Sequence, residues 1–315
     1  MQRIRFSPLL SHLALGIVCL LAPAGCARQD DAGGTAGPGP RNGPLSVYTV
    51  NYPLQYFALR IADDKIDAVF PSPTDVDPAY WTPDAETVEG YQQADLILLN
   101  GAGYAKWRDK VTLPDSKLRI TSAPFRDRLI TIEDAVTHTH GPEGEHAHAG
   151  TAFTTWLDPQ LAGLQAHAVH DALAEALPEH ASLLEQNQRD LQTELTNLDR
   201  ELEELVARKP DTLLLFSHPV YQYLERRYQL KGRSVHWEPD SPPSEKMWSE
   251  LDAVLKEHPA KWMIWEGEPL EETRAQLAER GVQSVIFAPC GNRPESGDFL
   301  TVMRQNVDNL RPVFE

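Results

Sequence analysis

EHASLLEQNQRDLQTELTNLDRELEELVARK, residues 179–209, decides the architecture of this chain. Leu184, Leu191, Leu195, Leu198, Leu202 and Leu205 recur mostly at i+3, i+4 and i+7, with Asp, Glu, Arg and Gln between them. That is one apolar stripe on a helix, bounded by Pro178 before it and Pro210 after it. Thirty residues at 1.5 Å each span roughly 45 Å, longer than one small lobe. The spacing therefore predicts an interlobe spine helix over residues 179–209. A coiled-coil dimer is the competing reading, and the imperfect a/d spacing over about four heptads argues against it.

On the N-terminal side of the spine, Leu45 to Val50 reads as a short strand, broken by Asn51-Tyr52-Pro53. Leu54 to Ile61 has helical spacing. Ala68-Val69-Phe70 and Ala94 to Leu99 are further strands, stopped by Pro71 and by Asn100-Gly101, and Leu161 to Leu177 is an Ala/Leu-rich helix. On the C-terminal side, Thr212 to Phe216, Ala260 to Trp265 and Val282 to Ala288 read as buried strands with helices between. Strands alternating with helices argue for parallel βαβ units. The expected fold is α/β, with a lobe over residues 45–178, the spine, and a lobe over residues 210–315.

The first 44 residues read as an address and a tether. Arg3 and Arg5 precede an apolar run from Leu9 to Leu21, too short to span a bilayer but suited to a signal peptide. Ala22-Pro23-Ala24-Gly25-Cys26 resembles a bacterial lipoprotein box, with Pro23 where the box usually has Leu; cleavage after Ala24 is the alternative. Residues 1–26 are thus expected to be a signal peptide ending at a lipidated Cys26. Residues 27–44, almost without large apolar side chains, read as a flexible linker. Such a chain is expected on the periplasmic side of the cell envelope, anchored by lipid. The 315 residues carry a net charge of −17, which repels phosphate backbones and disfavours nucleic acid. Three cysteines, at 19, 26 and 290, cannot form a disulfide framework. No G-x-S-x-G, phosphate loop or H-E-x-x-H is present, so enzyme readings are poor.

Several segments, in order, resemble the metal-binding proteins of bacterial ABC uptake systems, the zinc and manganese group. They are Asn51-Tyr52-Pro53-Leu54 with Ala58-Leu59-Arg60-Ile61, Ala94-Asp95-Leu96-Ile97 to Gly101-Ala102-Gly103 and Trp107, and Trp156-Leu157-Asp158-Pro159. Ser217-His218 with Tyr221, Tyr223-Leu224 and Tyr228 follows, then Glu268-Pro269, and finally Met303, Asn306 and Leu310. The resemblance covers residues 45–315 and implies two lobes with the solute caught in the cleft between them. It also implies about four metal-ligating side chains. The family's His in Asp-Pro-His-x-Tyr-x-Pro falls on Ala79 of Asp77-Pro78-Ala79-Tyr80-Trp81-Thr82-Pro83. Its His two residues before the Trp of Trp-Leu-Asp-Pro falls on Thr154, its Asp of Leu-Asp-Pro on Ala288, and only one position, His218, keeps its imidazole. One imidazole of four is not a high-affinity zinc site.

Substitute donors exist. His138, His140, His146 and His148 lie in the loop 137–150, where imidazoles two residues apart offer several donors to one ion. The resemblance places a His-rich loop here in the zinc branch; the readings are a zinc-gathering loop, a loop that folds into the cleft to replace the imidazole missing at Thr154, and a solvated linker. His218, after an apolar strand, is expected to face the cleft, the alternative being a half-buried His bonded to backbone. His236 and Glu238, and Glu266 and Glu268, flank strand ends and are further candidate donors, with Glu268 a candidate orienting group for His218. Cys290 is a candidate soft ligand or a packed thiol, and His167, His170, His180 and His258 read as surface residues. The lost ligands also open volume, and Tyr80, Trp81, Trp156 and Tyr221 would then be aromatic walls of a pocket for a larger solute, the alternative being that they are core. The expected function is the extracytoplasmic solute-binding component of an ABC transporter, a monomer delivering zinc or a related divalent metal to a permease. Affinity is expected to collapse below about pH 6, since imidazole must be neutral to bind. The alternatives are an accessory protein holding zinc on its His-rich loop, and binding of a chelated or organic solute.

Overall fold

The computed structural model describes residues 43–132 and 150–315, together with the backbone of 137–139 and 145–147. Two four-stranded sheets, parallel throughout, make up the α/β fold. The first is built from β1 (Leu45–Thr49), β2 (Ile66–Val69), β3 (Leu96–Leu99) and β4 (Leu118–Ile120), in the order β2-β1-β3-β4. Helix α1 (Tyr52–Ala62) joins β1 to β2, and α2 (Ala85–Gln93) precedes β3. Asn51 explains the sharp end of β1. Its side chain accepts from the Leu54 amide at 3.1 Å as the cap of α1, with Pro53 in the first turn, and donates to Asn100 at 3.1 Å. The helix therefore starts at Tyr52, two residues before the apolar periodicity predicts.

The pairs β5 (Thr131–Ile132) with β8 (Gly150–Thr151), and β6 (Thr137–Thr139) with β7 (Glu145–Ala147), are antiparallel. Two long helices follow, α3 (Pro159–Ala176) and α4 (Ala181–Val206). The second sheet holds β9 (Leu213–Phe216), β10 (Lys231–Ser234), β11 (Trp262–Trp265) and β12 (Gln283–Ile286), in the order β10-β9-β11-β12. Around it lie α5 (Gln222–Tyr228), α6 (Glu245–Glu257), α7 (Glu271–Glu279) and α8 (Phe299–Phe314). The winding of the first sheet thus recurs in the second. The short edge strand β10 is hidden in the sequence, since Lys231-Gly232-Arg233-Ser234 carries no apolar alternation, and β4 is only the three residues Leu118-Arg119-Ile120.

Helix α4 packs against α1, α3, α5 and α8. Its six stripe leucines are all at most 4% exposed, each worth about 2 kcal/mol of burial. One apolar cluster runs along it, from Val47 and Leu98 of the first sheet to Phe216 and Ile264 of the second. Asp199 of α4 takes two hydrogen bonds from Arg227, at 2.9 and 2.7 Å, and one each from Tyr228 and Gln160, tying α4 to α5 and α3. After β12 the chain reaches back across. Asn292 donates to the carbonyls of Pro73 and Val76, and the Arg293 guanidinium donates to those of Ser72 and Phe70.

Candidate metal centre

His218, Glu238 and Glu266 come together because three neighbouring parallel strands end at one edge. Phe216 of β9 is in register with Ser234 of β10 and Ile264 of β11. Beyond the strands the pairing continues, with the Ser217 amide on the Ile264 carbonyl at 2.8 Å and the Trp237 amide on the Ser217 carbonyl at 2.7 Å. The chain leaves β9 for β10 on one side and returns to β11 on the other. The carboxyl end of β9 is therefore a switch point, where open α/β sheets place their ligands.

The His218 Nδ1 lies 3.2 Å from Glu238 Oε1 and 3.2 Å from Glu266 Oε1. Neighbouring donors of a tetrahedral zinc with bonds of 2.0–2.1 Å are about 3.3 Å apart, so these three side chains could hold an ion with little movement, and without one the same separations are those of a histidine–carboxylate ion pair. His218 is 2% exposed. Burial alone would lower its pKa, but the carboxylates of Glu238 and Glu266, with Asp77 behind them, outweigh it and raise the pKa above the usual histidine value. An ion bound at this nitrogen would have to compete with a proton.

These groups border a cavity of about 620 Å³. Tyr80, Tyr104, Phe153 and Trp156 also line it, with Tyr104 edge-on to Phe153 at 5.2 Å and to Trp156 at 5.8 Å. Trp156 is fixed by its Nε1 donating to the Pro289 carbonyl at 2.8 Å.

Of the positions where the resemblance expects lost ligands, Thr154 and Ala288 line this cavity, and the Thr154 hydroxyl is turned to the Val220 carbonyl at 2.5 Å. Ala79 does not line it. It is packed in the core at 2% exposure, and Asp77, two residues earlier, lines the cavity instead, accepting from the Ala79 amide at 2.8 Å. Two of the expected aromatic walls are also corrected. Tyr221 is fully buried, stacked on Phe216 at 5.0 Å with its hydroxyl on the Phe287 carbonyl, and Trp81 is not among the lining residues. Tyr104 and Phe153 take those places. The sequence signal for them was adjacency alone, to the Gly101-Ala102-Gly103 turn and to Thr154.

Glu268 is not beside His218. It is exposed and paired with Arg274 at 2.7 Å, because only the residue directly after β11, Glu266, stays at the strand edge. The His236 ring lies 5.8 Å from that of His218. Cys290 borders the cavity, its thiol pushed up to about 12 by burial and by Asp298. His258 holds the Leu214 carbonyl at 2.9 Å. In the β6–β7 pair, His138 and His146 are in register, but their side chains, and all of His140, His148 and Cys26, lie outside the described residues.

No described helix is long and apolar enough to cross a membrane. A putative metal-binding protein of Treponema pallidum is 24% identical over 277 residues, covering 84% of this chain and 86% of that protein. The high-affinity zinc uptake system protein ZnuA of Yersinia pestis is 22% identical over 233 residues, 68% of this chain and 73% of the relative. Among solved structures, the metal-dependent lipoprotein YcdH of Bacillus subtilis superposes with a TM-score of 0.73 at 21% identity, over 86% of this chain and 99% of that one. The Zn(II)-bound ZnuA-like domain of Streptococcus pneumoniae AdcA gives 0.72 at 20% identity, over 86% and 99%. Residues 47–313 match the family described as ZnuA, zinc-uptake complex component A, periplasmic, and the chain belongs to that family of extracytoplasmic, non-enzymatic solute-binding proteins.

Proposed function

We propose that this chain is the solute-binding component of an ABC uptake system for zinc or a related divalent transition metal, taking the ion at His218, Glu238 and Glu266 and delivering it to a permease. The carrying observation is the pair of 3.2 Å separations from one buried imidazole nitrogen to two carboxylates. One nitrogen and two oxygens suit a borderline or hard divalent cation. Asp77, which also lines the cavity, is the candidate fourth donor. In this reading residues 1–26 are removed or lipidated at Cys26, residues 27–44 are the tether, and a monomer of two lobes (45–178 and 210–315) closes modestly about the spine 179–209. The imidazoles of the loop 137–150 gather zinc.

Calorimetry with zinc on the mature chain, on a form lacking 137–150 and on His218→Ala tests this. Nanomolar affinity that needs His218 supports it. Binding lost with the loop and untouched by His218→Ala assigns the zinc to the loop and overturns the cavity reading.

A second reading has its own observation. The donors share a cavity of about 620 Å³ with four aromatic rings, far more room than a bare ion needs. A metal chelate would complete the coordination and stack on Tyr80 or Trp156. Titration with zinc and a small bidentate chelator separates the two: tighter binding of the complex than of zinc alone, abolished by Trp156→Ala, favours the chelate.

A further inference from the structure

A second set of donors lies on α3, outside the cavity. His167, His170 and Asp171 follow the i, i+3, i+4 spacing that puts three side chains on one helical face. The Asp171 carboxylate stands between the two imidazoles, its Oδ1 3.1 Å from His170 Nδ1 and its Oδ2 3.8 Å from His167 Nε2. The rings are nearly parallel, 13° apart with centroids at 5.8 Å. One donor atom from each residue falls within 4.8 Å of the others.

We infer that this face of α3 binds one divalent cation of the borderline class, zinc or copper(II), through two imidazoles and one carboxylate. Tetrahedral donors about 3.3 Å apart fall between the two observed separations, so a small rotamer change of the exposed His167 closes the set. Two imidazoles with one carboxylate leave open positions for water, and among divalent ions such a set favours copper(II) over zinc. The helix is 18 residues long and packed against α4 and α1, which fixes the spacing in advance. Arg119, the cation reaching this helix one turn on, is paired with Glu175 at 2.8 Å, and the net charge of −17 draws cations to the surface.

The test is equilibrium dialysis of the full chain against zinc alone and copper(II) alone, with the copper spectrum read by electron paramagnetic resonance. The double variant His167→Ala/His170→Ala should bind one equivalent fewer of each ion and lose the nitrogen hyperfine pattern of that site. Asp171→Asn should keep the equivalent and weaken it about tenfold, within the range for altering a site's carboxylate support. His218→Ala should retain this equivalent, which separates the site from the cavity whatever the cavity binds. His167 and Asp171 are exposed and His170 is partly buried, so circular dichroism of the double variant is compared with the parent, and the single variant His167→Ala, at an exposed position, should lose the same equivalent. Unchanged stoichiometry and an unchanged copper spectrum in the double variant would overturn the inference.

Discussion

Glu266→Gln tests the metal centre most sharply, because it changes charge and leaves shape. At 3.2 Å from the His218 nitrogen, a unit charge interacts by about 5 kcal/mol at an effective dielectric near 20. Two consequences follow, and they oppose each other. The ion loses an anionic oxygen, which we expect to weaken zinc binding about 100-fold, or about 2.7 kcal/mol. His218 meanwhile loses one of the carboxylates that hold its pKa up, so protons compete less. That relief returns at most about tenfold for each unit the pKa falls, and only below the pKa. Above the folded pKa there is no relief, so the ligand loss shows in full near pH 8 and is partly offset at pH 6. Competition titration against a chromophoric chelator at pH 8 and pH 6, with NMR titration of His218 in the metal-free protein, measures both. Glu268→Gln, on the exposed partner of Arg274, is the control and should change neither. If Glu266→Gln binds zinc within threefold of the parent at pH 8 and leaves the His218 titration unmoved, the ligand assignment is wrong.

Three more outcomes are expected. Because His218 titrates above the usual histidine value, apparent zinc affinity should begin falling above pH 6.5, by about tenfold per unit below the folded pKa, not only below pH 6. In the metal-free protein the same group stabilises the fold most fully below about pH 6.5, and this is lost as pH rises through its folded pKa; calorimetric melts with and without zinc show both limbs. Glu225 is raised to about 7 by burial. Its contribution is present below about pH 4.5 and lost as pH rises through 7, so Glu225→Gln should stabilise the protein at pH 8 by about 2–3 kcal/mol, read by urea unfolding. Leu195→Ala, at a fully buried stripe position of α4, should cost about 2–5 kcal/mol by the same assay; a cost under 1 kcal/mol would mean the stripe is not the seam of the core.

Much of the architecture is legible in the amino-acid order, because periodicity is a local property. The leucine stripe of α4 and the apolar runs of β3, β9 and β11 each declare their state within a few residues. The edge strand β10 does not: Lys231 to Ser234 forms a strand only because β9 offers a parallel partner. Helix α1 starts early because Asn51 is held by a residue 49 positions away, Asn100.

The candidate site divides along the same line. Composition and motif order single out His218 and the poverty of donors at Ala79, Thr154 and Ala288, since these depend only on which residue stands where. Choosing among the carboxylates needs three dimensions. Glu238 and Glu266 are separated by 28 positions and differ little in local pattern from Glu268, yet parallel pairing of β10, β9 and β11 delivers both to one nitrogen and leaves Glu268 in solvent. The same applies to the aromatic wall, where Tyr104 and Phe153 displace Tyr221 and Trp81. Chain order dictates what each segment is; which side chains share a cavity is decided by strand register and sheet order, interactions between segments that no local pattern encodes.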